Sequence, residues 1–281
     1  MTNKRNYSPE TRTYASGFRK EIRDKRGTRK SFEQWFVGFT DGNGCFSVYA
    51  NPLTQKINLT FKIDQKVINV QVLYYIKREL GVGKVTKPDK QGMCKYVIRD
   101  KKLIEKHILP IFENNELKTK KYNNYLRFKK ALEIWNDDTL NQTEKVERIY
   151  LDKVPSVSRV LAPLSDNWIV GFTEAEGFFY LTLKDKNKIS HGFGITQLQD
   201  KHLLEEIRWR FTFKAKIRPN NKGWQVETTN WHSIRRLKTF FHKRLKGRMS
   251  LIYRIWARSM RHRGKFHKLL KVKNMIKKLR K

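Results

Sequence analysis

Two segments of this chain hold an acid, or its neutral amide analogue, at the same point of one repeated pattern. Trp35-Phe36-Val37-Gly38-Phe39-Thr40-Asp41-Gly42-Asn43-Gly44 recurs 133 residues later as Trp168-Ile169-Val170-Gly171-Phe172-Thr173-Glu174-Ala175-Glu176-Gly177. Glu176 sits beside the final glycine of the second copy, and Asn43 takes that place in the first. An acid at the end of a helix faces the negative pole of the macrodipole and loses about 0.3–1 kcal/mol. Helix stability therefore does not ask for one there. A hard cation does: carboxylates at that point suit Mg²⁺ held against a phosphodiester.

The elements that must position these groups follow from the same segments. Gly38 and Gly42, and Gly171 and Ala175, are spaced four apart and share one face of a helix. Two such small-residue faces let helix backbones approach closely, so the two motif helices are expected to pack on each other with Asn43 and Glu176 close together. A second echo, Phe61-Lys62-Ile63-Asp64-Gln65 against Phe193-Gly194-Ile195-Thr196-Gln197, falls at an offset of 132. Two matches at nearly one spacing mark a duplication.

Each unit reads alike. After the motif helix come two strands whose apolar residues alternate (Phe46, Val48, Ala50, then Leu59, Phe61, Ile63), which describes a sheet buried on one face only. A helix closed by Gly81, a hairpin around Lys90-Gln91-Gly92 and helices over 103–112 and 120–135 complete the first unit. We read residues 1–30 as a basic arm, 31–135 as the first unit, 136–163 as a polar linker punctuated by Pro155 and Pro163, 164–260 as the second unit, and 261–281 as a basic amphipathic helix or tail.

Charge bounds the partner. The 281 residues carry 62 Lys+Arg against 26 Asp+Glu, a formal net charge of +36, far beyond what solubility needs. A folded chain tolerates that self-repulsion when a polyanion neutralises it, and nucleic acid does so by releasing counterions. No apolar run reaches the ~18–20 residues of a membrane-spanning helix, so no membrane partner is expected. The N-terminus lacks the apolar core of a secretory signal. Cys45 and Cys94 fit neither a disulfide framework nor a zinc spacing, which points to a reducing compartment.

These residues resemble the LAGLIDADG homing endonucleases and their maturase relatives, in the single-chain, two-repeat form. The resemblance runs from Phe32 to about Met260 and rests on the paired motifs, the F-x-I-x-Q strand ends, Leu80-Gly81-Val82-Gly83 and Leu117-Lys118-Thr119-Lys120. It implies an α+β fold of two pseudo-symmetric αββαββα units whose antiparallel sheets form a saddle over nucleic acid. It also implies cleavage of both DNA strands with Mg²⁺ held by the final acid of each motif. On this likeness the metal positions are Glu176 and Asn43; Gln65 and Gln197 order solvent near the scissile phosphates; Lys120 supports the transition state, with Arg248 in its place in the second unit. The reading face includes Tyr49, Lys62, Tyr180, Thr182 and Lys184, with side chains that reach base edges while surplus Lys and Arg hold phosphates. An organelle matrix, mitochondrial or chloroplast, is the implied compartment, and a monomer the implied state, because duplication supplies internally what a homodimer supplies between chains.

The chain departs from the pattern at two points. Asn43 offers a neutral carbonyl oxygen and no charge, and Asp41, one step away on the helix, points elsewhere. Arg248 keeps the charge of Lys120 but is the poorer proton-transfer group. Three readings follow: a DNA-binding endonuclease with impaired cleavage, a splicing maturase bound to structured intron RNA, or a non-catalytic RNA binder retained in a ribonucleoprotein such as an organellar ribosome.

Overall fold

The structure, a computed structural model, describes residues 28–153, 157, 162–221 and 223–280. The arm expected over 1–30 lies outside the described residues except for 28–30, which open the first helix.

The duplication is explicit in the topology. The first unit runs α1 (28–43), β1 (Gly44–Asn51), β2 (Lys56–Lys66), α2 (Val70–Leu80), β3 (Lys84–Val85), β4 (Met93–Ile98), α3 (Lys101–Leu103), a π-helical segment (Ile104–Ile108), α4 (Leu109–Asn114), α5 (Lys121–Asn136) and α6 (Gln142–Leu151). The second runs α7 (Asp166–Glu176), β5 (Gly177–Asp185), β6 (Lys188–Gln197), α8 (Lys201–Arg210), β7 (Arg218–Asn220), β8 (Gly223–Thr228), α9 (Trp231–Phe240), α10 (Arg248–Ser259) and α11 (Phe266–Leu279). The two antiparallel sheets have matching orders, β1-β2-β4-β3 and β5-β6-β8-β7. Their registers match as well: Gly44 pairs with Ile63 and Gly177 with Ile195, the glycine that ends each motif.

Alternation along the strands buries one face. Phe46, Leu59, Phe61, Ile63 and Tyr96 point into the first core, and Phe179, Phe193, Ile195 and Val226 into the second. Helices cover those faces: Tyr125, Phe128 and Leu132 of α5 are buried in one unit, and Ile252, Tyr253 and Trp256 of α10 in the other. The other faces carry Cys45, Ser47 and Tyr49 opposite Lys62, Thr60 and Asn58, and Tyr180 and Thr182 opposite Gly192 and Ser190.

One segment is more structured than its polarity suggests, and a second takes the helical one of its two expected forms. The stretch 136–163, expected as a linker, contains α6, closed at its start by a reciprocal Asn141–Glu144 capping box and anchored by buried Val146 and Ile149. The basic stretch 261–281 contains α11, whose Leu269 and Ile276 are buried. Sparse apolar residues three, four or seven apart are enough to dock a helix against an existing core.

The motif helices are the joint between the units. A Cβ on Gly38 would lie 2.1 Å from the Trp168 carbonyl oxygen, and one on Gly171 would lie 1.9 Å from the Trp35 carbonyl oxygen. One turn further, a Cβ on Gly42 would lie 2.3 Å from Ala175 Cβ. Backbone touches backbone here, and only glycine allows it.

Two buried carboxylates then tie each motif helix to the loop before its own unit's next long helix. Asp41 accepts hydrogen bonds from the Lys118 and Thr119 amides (2.9 and 3.0 Å), from Thr119 Oγ1 (2.6 Å) and, across the joint, from Trp168 Nε1 (2.7 Å). Glu174, its counterpart, accepts from the Lys246 and Gly247 amides at 2.7 and 2.8 Å. Burial pushes the Glu174 carboxyl up to about 7, the two amide bonds and Lys246 opposing; burial also raises Asp41 against its four donors.

Two expectations follow. Gly171→Ala costs about 1–3 kcal/mol or more of unfolding free energy, as overpacking against a fixed carbonyl does, read from urea denaturation midpoints. Second, Glu174 titrates near 7 when folded against an ordinary 4.5, so folding takes up a proton in that window. Its contribution is complete below about 4.5 and is lost as pH rises through about 7. Wild type should lose about 2–3 kcal/mol more than Glu174→Gln between pH 5 and pH 8; equal losses in the two proteins would disprove the assignment.

Candidate functional site at the helix junction

The site grows out of the paired helix ends. Glu176 is the last residue of α7, and its Oε1 and Cγ lie 3.2 Å from where a Gly42 Cβ would stand. The acid of the second unit thus lies against the end of the first unit's motif helix. Burial raises its pKa, and the one opposing influence is the charge of Lys121.

Lys121 is the side chain that brings charge to this point. Its Nζ donates to the Thr40 and Gly42 carbonyl oxygens at 3.1 and 2.5 Å, capping the C-terminal end of α1. Burial lowers its pKa, while Asp41 and then Glu176 hold it up. The free carbonyls of a helix end and a nearby carboxylate together make a position that favours a cation, and the ammonium takes it.

Glu176 and Lys121 face an open cavity of about 850 Å³ that also reaches Thr119, Thr196, Gln197 and Asp200. Gln197, at the end of β6, donates through Nε2 to Asp200 Oδ2 at 2.9 Å. Lys120 lines the same cavity but is exposed at the N-terminal boundary of α5. Sequence reasoning singled out Lys120, whereas the ammonium beside Glu176 is that of Lys121. The run Lys118-Thr119-Lys120-Lys121 offers three candidate lysines. Only the start of α5 decides which one turns inward, and that start is fixed by Asp41 gripping the two preceding amides.

The other half of the junction is built differently. The buried carboxylates give the correspondence: Asp41 binds the amides of 118 and 119, Glu174 those of 246 and 247. Lys120 therefore corresponds to Arg248, as expected, and Lys121 to Met249. Arg248 is fully engaged in structure. Its Nε donates to the Leu279 carbonyl at 2.6 Å, one guanidinium nitrogen to the Ile68 carbonyl at 3.4 Å, and its amide to Asn69 Oδ1 at 2.8 Å. Asn69 in turn donates to Gln65 Oε1 at 2.7 Å. Gln65, Asn69 and Arg248 form a stitch between the two units. Asn43 is the last residue of α1, partly buried.

The two deficits noted in the sequence thus fall together. Across from Glu176 stands Lys121; the equivalent partner of Asn43 is Met249. One half of the junction has an acid and an ammonium, the other an amide and a thioether.

The expected reading-face residues are spread over both sheets. Tyr49 is half exposed, its hydroxyl accepting from Asn51 Nδ2 at 3.0 Å. Lys62 lies 4.0 Å from Asp64. Thr182 is partly buried, and Lys184 is exposed. Tyr180 is more constrained: its ring lies over Gly192, where a Cβ would come within 2.3 Å, and burial and then Glu227 push its hydroxyl up to about 12. Among the described residues no helix is long and apolar enough to cross a membrane, and no group of three His, Cys, Asp or Glu could hold a metal.

The likeness to known proteins covers both units. A model of the LAGLIDADG endonuclease family matches residues 36–132 and 169–260. A fission-yeast protein, the probable intron-encoded endonuclease Cox1-I1b of Schizosaccharomyces pombe, is 38% identical over 268 residues, spanning 89% of this chain and 69% of its own length. Among solved structures, the I-SmaMI LAGLIDADG homing endonuclease bound to cleaved DNA superposes with a TM-score of 0.73 at 22% identity, covering 88% of this chain and 95% of its own. I-SmaMI bound to uncleaved DNA in the presence of calcium ions gives 0.72 at 23% identity, covering 88% and 97%. With two family repeats carried on two matched units, the chain belongs to the LAGLIDADG endonuclease family.

Proposed function

We propose that this protein is a monomeric, site-specific DNA-binding nuclease that hydrolyses one strand of its target, at the half-site of Glu176, Lys121 and Gln197. The observation that carries this reading is the pairing just described: acid with ammonium on one side, Asn43 with Met249 on the other. The intron-encoded relative and the DNA-bound structural neighbours support DNA as the partner. They also favour an organelle matrix as its place of work, in keeping with two free cysteines.

The Glu176 carboxylate, half-buried and facing the cavity, is a hard oxygen donor that fits a divalent cation, while the Thr40 and Gly42 carbonyls beside it are already taken by Lys121. Mg²⁺, if held there, would supply Lewis-acid stabilisation of a phosphoryl oxygen. Asn43 brings only a neutral amide oxygen, so it does not make an equivalent site. Around Glu176 the chain's own groups have distinct tasks. Glu176 supplies the negative charge that holds the cation. Lys121, its proton affinity lowered by burial, donates to charge that develops on the phosphate. Gln197, oriented by Asp200, holds solvent at the end of β6. Tyr49, Lys62, Thr182 and Lys184 face the duplex, and the surplus cations hold its backbone.

A supercoiled plasmid carrying a target selected from a randomised duplex library reads the outcome directly. With Mg²⁺ the wild type should give open circles and little linear product. Glu176→Gln and Lys121→Met should each slow nicking at least about 100-fold, in the range seen when one electrostatic donor is removed from a catalytic site. The double variant Asn43→Glu/Met249→Lys should yield linear DNA. Efficient linearisation by wild type would overturn the one-strand reading, and undiminished nicking by Glu176→Gln would overturn the assigned half-site.

A further inference from the structure

The strand ends that flank the junction hold two glutamines at equivalent positions. Gly44 and Gly177 pair with Ile63 and Ile195, and Gln65 and Gln197 stand two residues further along β2 and β6. Each is followed by a short polar residue immediately before a helix, Asn69 before α2 and Asp200 before α8. Such residues ordinarily turn back to cap the helix they precede, as Asp100, Asn141, Ser165 and Asn230 do. Asn69 and Asp200 do not. Both side chains are turned to the glutamine of their own unit instead.

The two contacts have opposite polarity. A carboxylate can only accept, so Asp200 Oδ2 takes the Gln197 Nε2–H at 2.9 Å. Gln197 keeps Oε1, an acceptor, for the cavity that it lines with Glu176 and Lys121. In the first unit the order is reversed. The Arg248 backbone amide, which can only donate, bonds to Asn69 Oδ1 at 2.8 Å. That fixes the Asn69 side chain, whose Nδ2 donates to Gln65 Oε1 at 2.7 Å. Gln65 keeps Nε2, a donor. Turning Gln197 over would set oxygen against oxygen, and turning Gln65 over would set N–H against N–H. Each amide is thus oriented by a group with only one polarity: an acid in one unit, and in the other a main-chain N–H sent across from its neighbour.

We infer that Asp200 and Asn69 are positioning residues that give the two glutamines different tasks, with Gln197 accepting a hydrogen bond from the attacking water and Gln65 donating to a phosphate oxygen. The inference rests on the cleavage reading above and deepens it. Hydrolysis forms a bond from the water oxygen to phosphorus and breaks one from phosphorus to an ester oxygen; the water releases a proton to solvent and the ester oxygen takes one up. An acceptor that holds one O–H of the water leaves a lone pair turned to phosphorus. A donor in that place occupies the lone pair itself and suits a phosphate oxygen instead. Restoring the charges of the other half with Asn43→Glu/Met249→Lys therefore leaves its amide turned the wrong way for the water.

The test follows each strand of an end-labelled duplex target separately, at saturating protein with Mg²⁺. Asp200→Asn should slow the first cut at least about tenfold, as misplacing a reactant does, with the duplex Kd unchanged. Gln197→Glu should be slow as well, because two acids then face each other. The exchange Gln197→Glu/Asp200→Asn keeps the total charge, lets the introduced amide donate and returns an acceptor to the cavity, so it should recover to within about threefold of wild type, the coupling of a contacting pair. Asn69→Asp added to Asn43→Glu/Met249→Lys should turn Gln65 over and speed the second cut about tenfold. In the unliganded wild type, the Gln197 Nε2 protons should exchange with water more slowly than those of Gln65 in nitrogen NMR. An exchange variant as slow as Asp200→Asn would refute the inference, and so would Gln65 protons as protected as those of Gln197. Equal cutting of both strands by wild type would sink the one-strand reading, and the division of tasks with it, even where the amide polarities hold. The proton-exchange measurement needs neither cleavage nor a folded variant.

Discussion

Everything in this molecule depends on two helices touching at their backbones. With glycine at 38 and 171, the Trp168 and Trp35 carbonyls come within van der Waals reach of the opposite helix. That contact brings the ends of the two helices together, with Gly42 against Ala175 and Glu176. It also creates a problem, because the polar ends of two helices are buried side by side and their carbonyls need partners. Lys121 answers it on one side by capping Thr40 and Gly42. Asp41 and Glu174 answer a second problem, fixing the chain that returns to the junction by holding two backbone amides each. The carboxylates within the motif thus divide the work. The one on the buried side of each helix is structural, and only α7 has a second acid, Glu176, at its end facing the cavity.

Much of this was legible in the residues themselves, because it is periodic. Glycines four apart, strands that alternate, Gly81 closing a helix in the left-handed region at φ 73 and Gly92 turning a hairpin at φ 72 are all local rules. The duplication could be read for the same reason. What was not legible depends on phase or on distant contacts. Lys120 and Lys121 are adjacent, and only the Asp41 grip, 77 and 78 residues away in sequence, decides which ammonium faces Glu176. α6 looked like part of a linker because its segment is polar, whereas 261–281, read as a basic amphipathic helix or tail, contains the helix α11. Their stability comes from a few buried side chains against a surface that must already exist.

The duplication has diverged in two separate directions. Near the junction the second unit's loop has exchanged chemistry for stitching: Gly247 lets Asn69 approach, where a Cβ would meet its Oδ1 at 2.5 Å, and Arg248 spends its guanidinium on the carbonyls of Leu279 and Ile68. Far from the junction, α9, α10 and α11 of the same unit carry no Asp or Glu. The first change touches the site and leaves the fold tied together more firmly. The second leaves the site alone and changes what the outside of the protein attracts.

The coincidence of Asn43 and Met249 has an electrostatic reason. A carboxylate and an ammonium that are half-buried at a helix junction each carry a desolvation cost that the other offsets. Removing only the acid would leave an ammonium at the end of α7 facing no counter-charge. Removing only the ammonium would leave a buried acid with no counter-charge, and burial already raises Glu176 even with Lys121 opposing it. Either single loss keeps a buried charge without its partner, which costs more than the pair is worth. Losing both returns that half of the junction to a neutral state that folds without penalty. A half-site of this kind therefore tends to be kept whole or neutralised whole, and the Asn43–Met249 side has the composition of the second outcome. The surviving pair at Glu176 and Lys121 is then more than a remnant of symmetry. Its carboxyl still bears the cost of burial, a cost that a role in packing alone would not justify.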